Sequence, residues 1–180
     1  MPTFVIIIGV IVVLIVTLLV FIATRSDQMH VERTAQINAP ADIVFSIIND
    51  LHQWGLWSPY DKHDPQMQKT FEGPLTGPGA SYAWNGNKNV GAGRLTIVDT
   101  KPGELVTMAL EFTRPFACQN RVDFKLVPIA GGTQVSWIME GKNTFFSKAM
   151  SLFISMDKMV GTDFEQGLVN LNAVAEKRSS

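Results

Sequence analysis

The stretch VTMALEFTRPFACQNRVDFKL, residues 106–126, alternates apolar and polar side chains on both sides of Pro115. Val106, Met108, Leu110 and Phe112 share one face against Thr107 and Glu111, and Val122, Phe124 and Leu126 oppose Asp123 and Lys125. Successive side chains of a strand point to opposite faces, so a period of two predicts strands with one apolar and one wet face. Val135, Trp137 and Met139 continue the rule. From Gln66 to Asn143 the chain is punctuated by Gly73-Pro74, Gly77-Pro78-Gly79, Gly86, Gly91, Gly93, Pro102-Gly103, Pro115, Pro128 and Gly131-Gly132. Turns this frequent divide the region into antiparallel strands. The apolar face they build carries large side chains and has to be covered.

The cover lies downstream. A helical stripe is predicted from about Ser147 to Glu176 through Ala149, Leu152, Phe153, Met156, Met159, Val160, Phe164, Leu168, Leu171 and Val174. Gly161 and Gly167 inside it mark a bend or a close backbone contact. Upstream, Met29 to Asn38 reads as a first strand through Val31, Ala35 and Ile37. Pro40 suits the first turn of a helix of about three turns, with apolar residues Ile43, Val44, Ile47, Ile48 and Leu51 at three- and four-residue steps. Gly55 and Pro59 then break the period within an aromatic turn from His52 to Tyr60. This order predicts an α+β domain whose antiparallel sheet curls around the last helix.

At the N-terminus, Phe4 to Ala23 (FVIIIGVIVVLIVTLLVFIA) holds no charge. At about 1.5 Å per residue a helix of this length reaches roughly 30 Å, the thickness of a hydrocarbon core. A cleaved signal fits poorly: no Lys or Arg precedes the run, the apolar core exceeds the roughly 7–15 residues of a signal, and Phe21-Ile22-Ala23 is a poor cleavage site. Residues 1–28 are read as a transmembrane anchor with a short polar joint, Thr24 to Gln28, and residues 29–180 as one domain held close to the lipid. Arg25 and Arg33 follow the span and no cation precedes it, which places the domain in the cytoplasm by the positive-inside rule. With 15 Lys+Arg against 16 Asp+Glu the chain has no basic field for nucleic acid. Cys118 is the sole cysteine, which excludes an intramolecular disulfide and a cysteine-based zinc site.

The soluble part resembles the SRPBCC superfamily, which includes START-type lipid carriers, and within it the polyketide cyclase/dehydrase-type branch. The likeness runs from Val31 to Lys177. It is carried by Ala39-Pro40-Ala41-Asp42-Ile43-Val44-Phe45, Trp57-Ser58-Pro59-Tyr60 with Asp64-Pro65, Phe71-Glu72-Gly73-Pro74, and Gly86-Asn87-Lys88. It continues with Gly91-x-Gly93-Arg94, Gly131-Gly132-Thr133-x-Val135-x-Trp137, Met156-Asp157-Lys158-Met159-Val160-Gly161, and Asp163-Phe164-Glu165-x-Gly167-Leu168. The resemblance implies a helix-grip architecture, in which a seven-stranded sheet grips the C-terminal helix around a deep apolar cavity. It implies less about chemistry: relatives of this kind bind sterols, lipids, polyketides or other apolar molecules, and some cyclise or dehydrate polyketides.

No catalytic constellation is visible. His30, His52 and His63 sit in no nucleophile elbow or metal-ligand spacing, and Asp61-x-x-Asp64 with His63 reads as a polar loop. Gly91-Ala92-Gly93-Arg94 leads into a strand, which points to a hairpin rather than a phosphate loop. Two polar residues share parity with apolar neighbours: Asn120 with Val122 and Phe124, and Arg114, at a strand end, with Phe112 and Leu110. Buried without partners, each would cost a few kcal/mol, so a structural bond, solvent or a ligand has to compensate. Tyr82 and Trp84 offer a wall with a hydroxyl tip. With Met108, Phe112, Asn120, Phe124, Trp137, Met139, Phe153, Met156 and Phe164 they form the expected cavity lining, its methionines suited to varied apolar ligands. Neither a cofactor nor a metal is called for. The expected function is a membrane-anchored binding domain for a hydrophobic small molecule or lipid. The alternatives are a polyketide cyclase/dehydratase using Asn120, Tyr82 or Arg114, and an interaction module whose cavity is filled by its own side chains.

Overall fold

The strands lie in one antiparallel sheet of order β1-β7-β6-β5-β4-β3-β2: β1 (Gln28–Ile37), β2 (Gln68–Glu72), β3 (Ser81–Asn85), β4 (Ala92–Lys101), β5 (Leu105–Arg114), β6 (Cys118–Ile129) and β7 (Gly132–Lys142). Helices α1 (Pro2–Ala23), α2 (Ala41–Ile48), α3 (Tyr60–His63), α4 (Phe145–Met150) and α5 (Met156–Ser179) complete the chain, with a 3-10 turn at Leu51–Leu56. The computed structural model describes residues 2–143, 145–150, 152 and 155–179, of which residues 2, 5, 146, 150 and 156 by backbone only.

The alternation read from residues 106–126 sets the register. Met108 pairs with Val122 and Val106 with Phe124, and on the other side of β6 Val122 meets Met139 and Phe124 meets Trp137. Apolar residues thereby line up across three strands, β5, β6 and β7, on the inner face. Against them α5 buries Phe164, Leu168, Leu171 and Ala175, and α2 buries Val44, Ile47 and Ile48. The pairs Gln28–Lys142, Asn120–Gly141, Cys118–Phe112 and Ala92–Arg114 gather the beginnings of β1, β6 and β4 and the ends of β7 and β5 at one end of the sheet. This is the end from which α1 departs.

Three local readings are corrected. The C-terminal stripe is not one helix: α4 and α5 are separate, and Met159, placed on the stripe, is 52% exposed. Neither Gly161 nor Gly167 ends a helix, because α5 runs through both, and each makes room for a side chain from the sheet, Arg33 at Gly161 and Trp137 at Gly167. Finally, Pro40 is the residue before α2, with extended backbone, and Leu51 belongs to the 3-10 turn, so α2 is shorter than expected.

Helix α1 is long and apolar enough to cross a bilayer, and only 6% of its most apolar window is buried in the protein. Its C-terminal end is nonetheless fixed to the domain. Ile22 is buried, Lys148 of α4 donates to the Ala23 carbonyl at 3.4 Å and pairs with Asp27, and Asn143 Nδ2 donates to the carbonyls of Ser26 and Gln28 at 3.1 and 3.2 Å.

The start of α5 is held by Arg33, which faces inward from β1. Its Nε donates to Glu165 at 2.6 Å and its Nη1 to Asp157 Oδ1 at 2.9 Å, while Nη2 reaches the Asp157 carbonyl at 3.1 Å. A Cβ on Gly161 would lie 2.8 Å from Arg33 Nε, so the fork needs a glycine beneath it. Hydrogen bonding from Arg33 holds the Asp157 carboxyl below the ordinary aspartate range. A depressed folded-state value means that the contact stabilises above the unfolded pKa of about 4 and is lost as pH falls below it. The denaturation midpoint is therefore expected to drop below about pH 4, and Arg33→Met should flatten that limb of the profile. An Arg33→Met profile parallel to the wild type would remove this contact from the acid response.

Candidate functional site

The inner face has two unlike halves. Away from α1 it is filled by rings. Trp137 stacks on Phe164 with centroids 4.0 Å apart and planes 8° apart, and Phe124 lies 4.8 Å from Trp137. Trp57 meets Trp137 edge-on at 5.5 Å, and Trp54 packs 4.8 Å from Trp57. The Trp54 indole donates to the Ile48 carbonyl at 2.9 Å, which fixes the 3-10 turn over the sheet. Phe124, Trp137 and Phe164, expected as cavity lining, are at most 2% exposed and pack on one another, as a core does. Met108 and Met139 are buried beside them.

Nearer α1 the same face changes character. Leu110 and Phe112 on β5, Cys118 and Asn120 on the adjacent β6, and Met29 on β1 beyond β7 are each only half-buried. Trp84 closes one side, its ring edge-on to Phe112 at 5.4 Å and its indole N–H donating to the Val90 carbonyl at 3.0 Å. In this apolar row Asn120 is the polar exception. Among the described residues its carboxamide makes one hydrogen-bonding contact, from Nδ2 to Cys118 Sγ at 3.9 Å, a weak acceptor at long range. Space for the amide comes from Gly141, where a Cβ would collide with Asn120 Oδ1 and come within 3.2 Å of Met29 Cε. Burial pushes the Cys118 thiol up, which disfavours the thiolate.

Tyr82 and Arg114 do not converge on Asn120. Asn120 pairs with Leu110, Leu110 with Leu95 and Leu95 with Tyr82, which separates the hydroxyl-bearing residue by three strand spacings, about 14 Å along the sheet. Tyr82 is buried, which raises its phenol pKa, with Asp61 adding to the shift; Lys69 sits 5.3 Å over its ring and pairs with Asp61. Arg114 is exposed at its strand end and donates to Asn85 Oδ1. Phe153 lies outside the described residues, as does the side chain of Met156.

Each histidine has a neighbour of its own. His30 lies exposed between Glu32 and Glu140, His52 stacks on Phe71 at 4.0 Å, and His63 meets Asp163 at 3.0 Å. Asp64 caps the hairpin by accepting from the Asn87 N–H at 2.7 Å. No cluster of metal-ligating side chains occurs among the described residues. Trp54 and Trp57 belong to the ring core although sequence reasoning left them in the turn; their three-residue spacing was the available signal. Gly141 and Met29 were missed at the open half, and Gly141 carries no pattern that marks it as a neighbour of Asn120.

Residues 28–176 match the family model described as polyketide cyclase / dehydrase and lipid transport. The chain belongs to this family. Among solved structures, the Zhui aromatase/cyclase of Streptomyces is similar with a TM-score of 0.61 at 16% identity, covering 85% of this chain and 96% of that one. A protein from Chromobacterium violaceum gives 0.58 at 15% identity, covering 83% and 97%, and one from Mesorhizobium loti gives 0.60 at 14%, covering 83% and 98%. No curated protein matches the chain. At such identities the structural likeness concerns the fold, which in this family is put to both cyclisation and lipid transport.

Proposed function

We propose that this family member binds an apolar small molecule or lipid along the half-buried part of the inner face, and that α1 holds it at a membrane while it does so. The observation that carries the reading is Asn120: a carboxamide set among Met29, Leu110 and Phe112, seated on a glycine, with only a thiol as partner among the described residues. One polar group in an apolar recess is the usual way a site orients an otherwise greasy ligand. The cyclase reading has less support, because the three polar residues it would use lie apart. The filled-interior reading accounts only for the half of the face away from α1, where the ring cluster packs, and leaves the half-buried row beside α1 unexplained.

Mass spectrometry of organic extracts from the purified full chain tests the proposal, and a co-purifying apolar molecule is the expected result. Asn120→Leu keeps the volume and removes the hydrogen bond, and Gly141→Ala pushes the amide aside. Each is expected to reduce retention by roughly tenfold, the worth of about one hydrogen bond. An empty extract, together with no thermal shift on adding lipids or polycyclic aromatics, would sink the reading.

A further inference from the structure

The end of the sheet beside α1 carries features that the ligand site does not use. The β5–β6 connection holds Phe116 at 61% exposure, and α4 opens on Phe145 at 52%. Strand register puts both at the end where β1 begins, because Cys118 pairs with Phe112, and Gln28 with Lys142 just before α4. Around them stand exposed cations: Arg25 at the foot of α1, Lys142 at the end of β7, and Lys88 in the β3–β4 turn, which Arg114 ties to the same end through Asn85 and the Gly86 carbonyl. The acidic side chain of the joint, Asp27, is paired with Lys148. Carboxylates collect at the opposite end, at Glu72, Asp99 and Glu104 where β2 and β4 finish and β5 begins. Exposed rings and cations thus gather at the α1 end with Glu140 as an exposed carboxylate among them, whereas at the opposite end Lys101 and Lys125 stand among the carboxylates and Arg94 pairs with Glu72.

Resting on the reading of α1 as a membrane span, we infer that this end is a docking face for an anionic phospholipid surface, with Phe116 and Phe145 entering the interfacial layer and Arg25, Lys88 and Lys142 meeting headgroup phosphates. Aromatic rings settle at the headgroup level and basic side chains concentrate near anionic leaflets. The chain leaves the face only through residues 24–27, so a bilayer holding α1 lies directly against it. Asn120 and its half-buried neighbours belong to the same end of the strands, which makes the leaflet itself the source of the ligand.

The test uses the full chain reconstituted in vesicles, with the photoreactive p-benzoylphenylalanine in place of Phe116 or, as a far-end control, of Val127, itself 53% exposed. Phosphatidylcholine vesicles are compared with phosphatidylcholine–phosphatidylglycerol vesicles. Position 116 should yield roughly tenfold more phospholipid adduct than position 127, and more with phosphatidylglycerol present, a preference that Lys88→Glu with Lys142→Glu should erase. Equal lipid adducts at 116 and 127 would overturn the inference, as would protein–protein adducts at 116 in place of lipid. The two proposals fail separately. Lipid adducts at 116 from a chain with an empty extract would leave the docking face and remove the ligand site, and the reverse result would do the opposite.

Discussion

Trp137→Ala is expected to lower the stability of the domain by about 3–5 kcal/mol, read as a fall in the denaturation midpoint. Its ring is 2% exposed and touches the rings of Trp54, Trp57, Phe124 and Phe164, so truncation removes one partner from four ring contacts at once. The void would open where the sheet, the 3-10 turn and α5 meet, and Gly167 has no side chain with which to refill it. Trp137→Phe separates packing from polarity. Among the described residues the Trp137 indole nitrogen has no hydrogen-bond partner, so Phe gives up volume but no bond there, and should lose only about 1–2 kcal/mol. A Trp137→Ala midpoint within about 1 kcal/mol of the wild type would show that the ring cluster is not the core of the fold.

Gly93→Ala carries the second large effect, about 2–4 kcal/mol, for a different reason. Between Ala92 and Gly93 the register against β5 slips by one residue, and this bulge brings the Glu111 carbonyl against the Gly93 α-carbon. An added methyl would collide with that carbonyl and lie 2.5 Å from Trp84 Cη2. A backbone atom cannot swing aside as a flexible side chain can, so β4 and β5 must part. Gly103→Ala is the control: its added carbon meets open space, and only a φ of +72° resists, which should cost about 1 kcal/mol. Equal losses at the two positions would remove crowding as the cause.

Sheet and core were legible because they rest on a period of two in the apolar residues of the long strands, although Thr107, Asp123 and Ile138 are buried on the other face as well. Val106 to Phe112 and Val122 to Leu126 point as their alternation requires, and their partners follow from register. The division between α4 and α5 was not legible. Ala149, Leu152, Phe153 and Met156 keep helical spacing across it, and no Gly or Pro interrupts them. At Gly161 and Gly167 a bend and a close contact were both open, and the contacts come from the side chains of Arg33 and Trp137, since a glycine records missing volume without saying whether backbone freedom or a neighbour's side chain needs it. The candidate site was half legible. Parity singled out Asn120 as a polar residue on an apolar face, but depth along the sheet, which separates the filled rings from the half-buried row, depends on how the 3-10 turn and α5 pack. Strand parity carries no information about that.

The fastening of α1 bears on what kind of carrier this family member can be. With Lys148 and Asn143 bonded to the backbone between α1 and β1, the four residues 24–27 are not a leash but a bracket. On the proposed reading of α1 as a membrane span, a domain on such a bracket would have little swing or reach. It would not be suited to ferrying cargo from one membrane to another, and traffic through it would begin and end in the bilayer that holds α1 or wait for an acceptor to come to it.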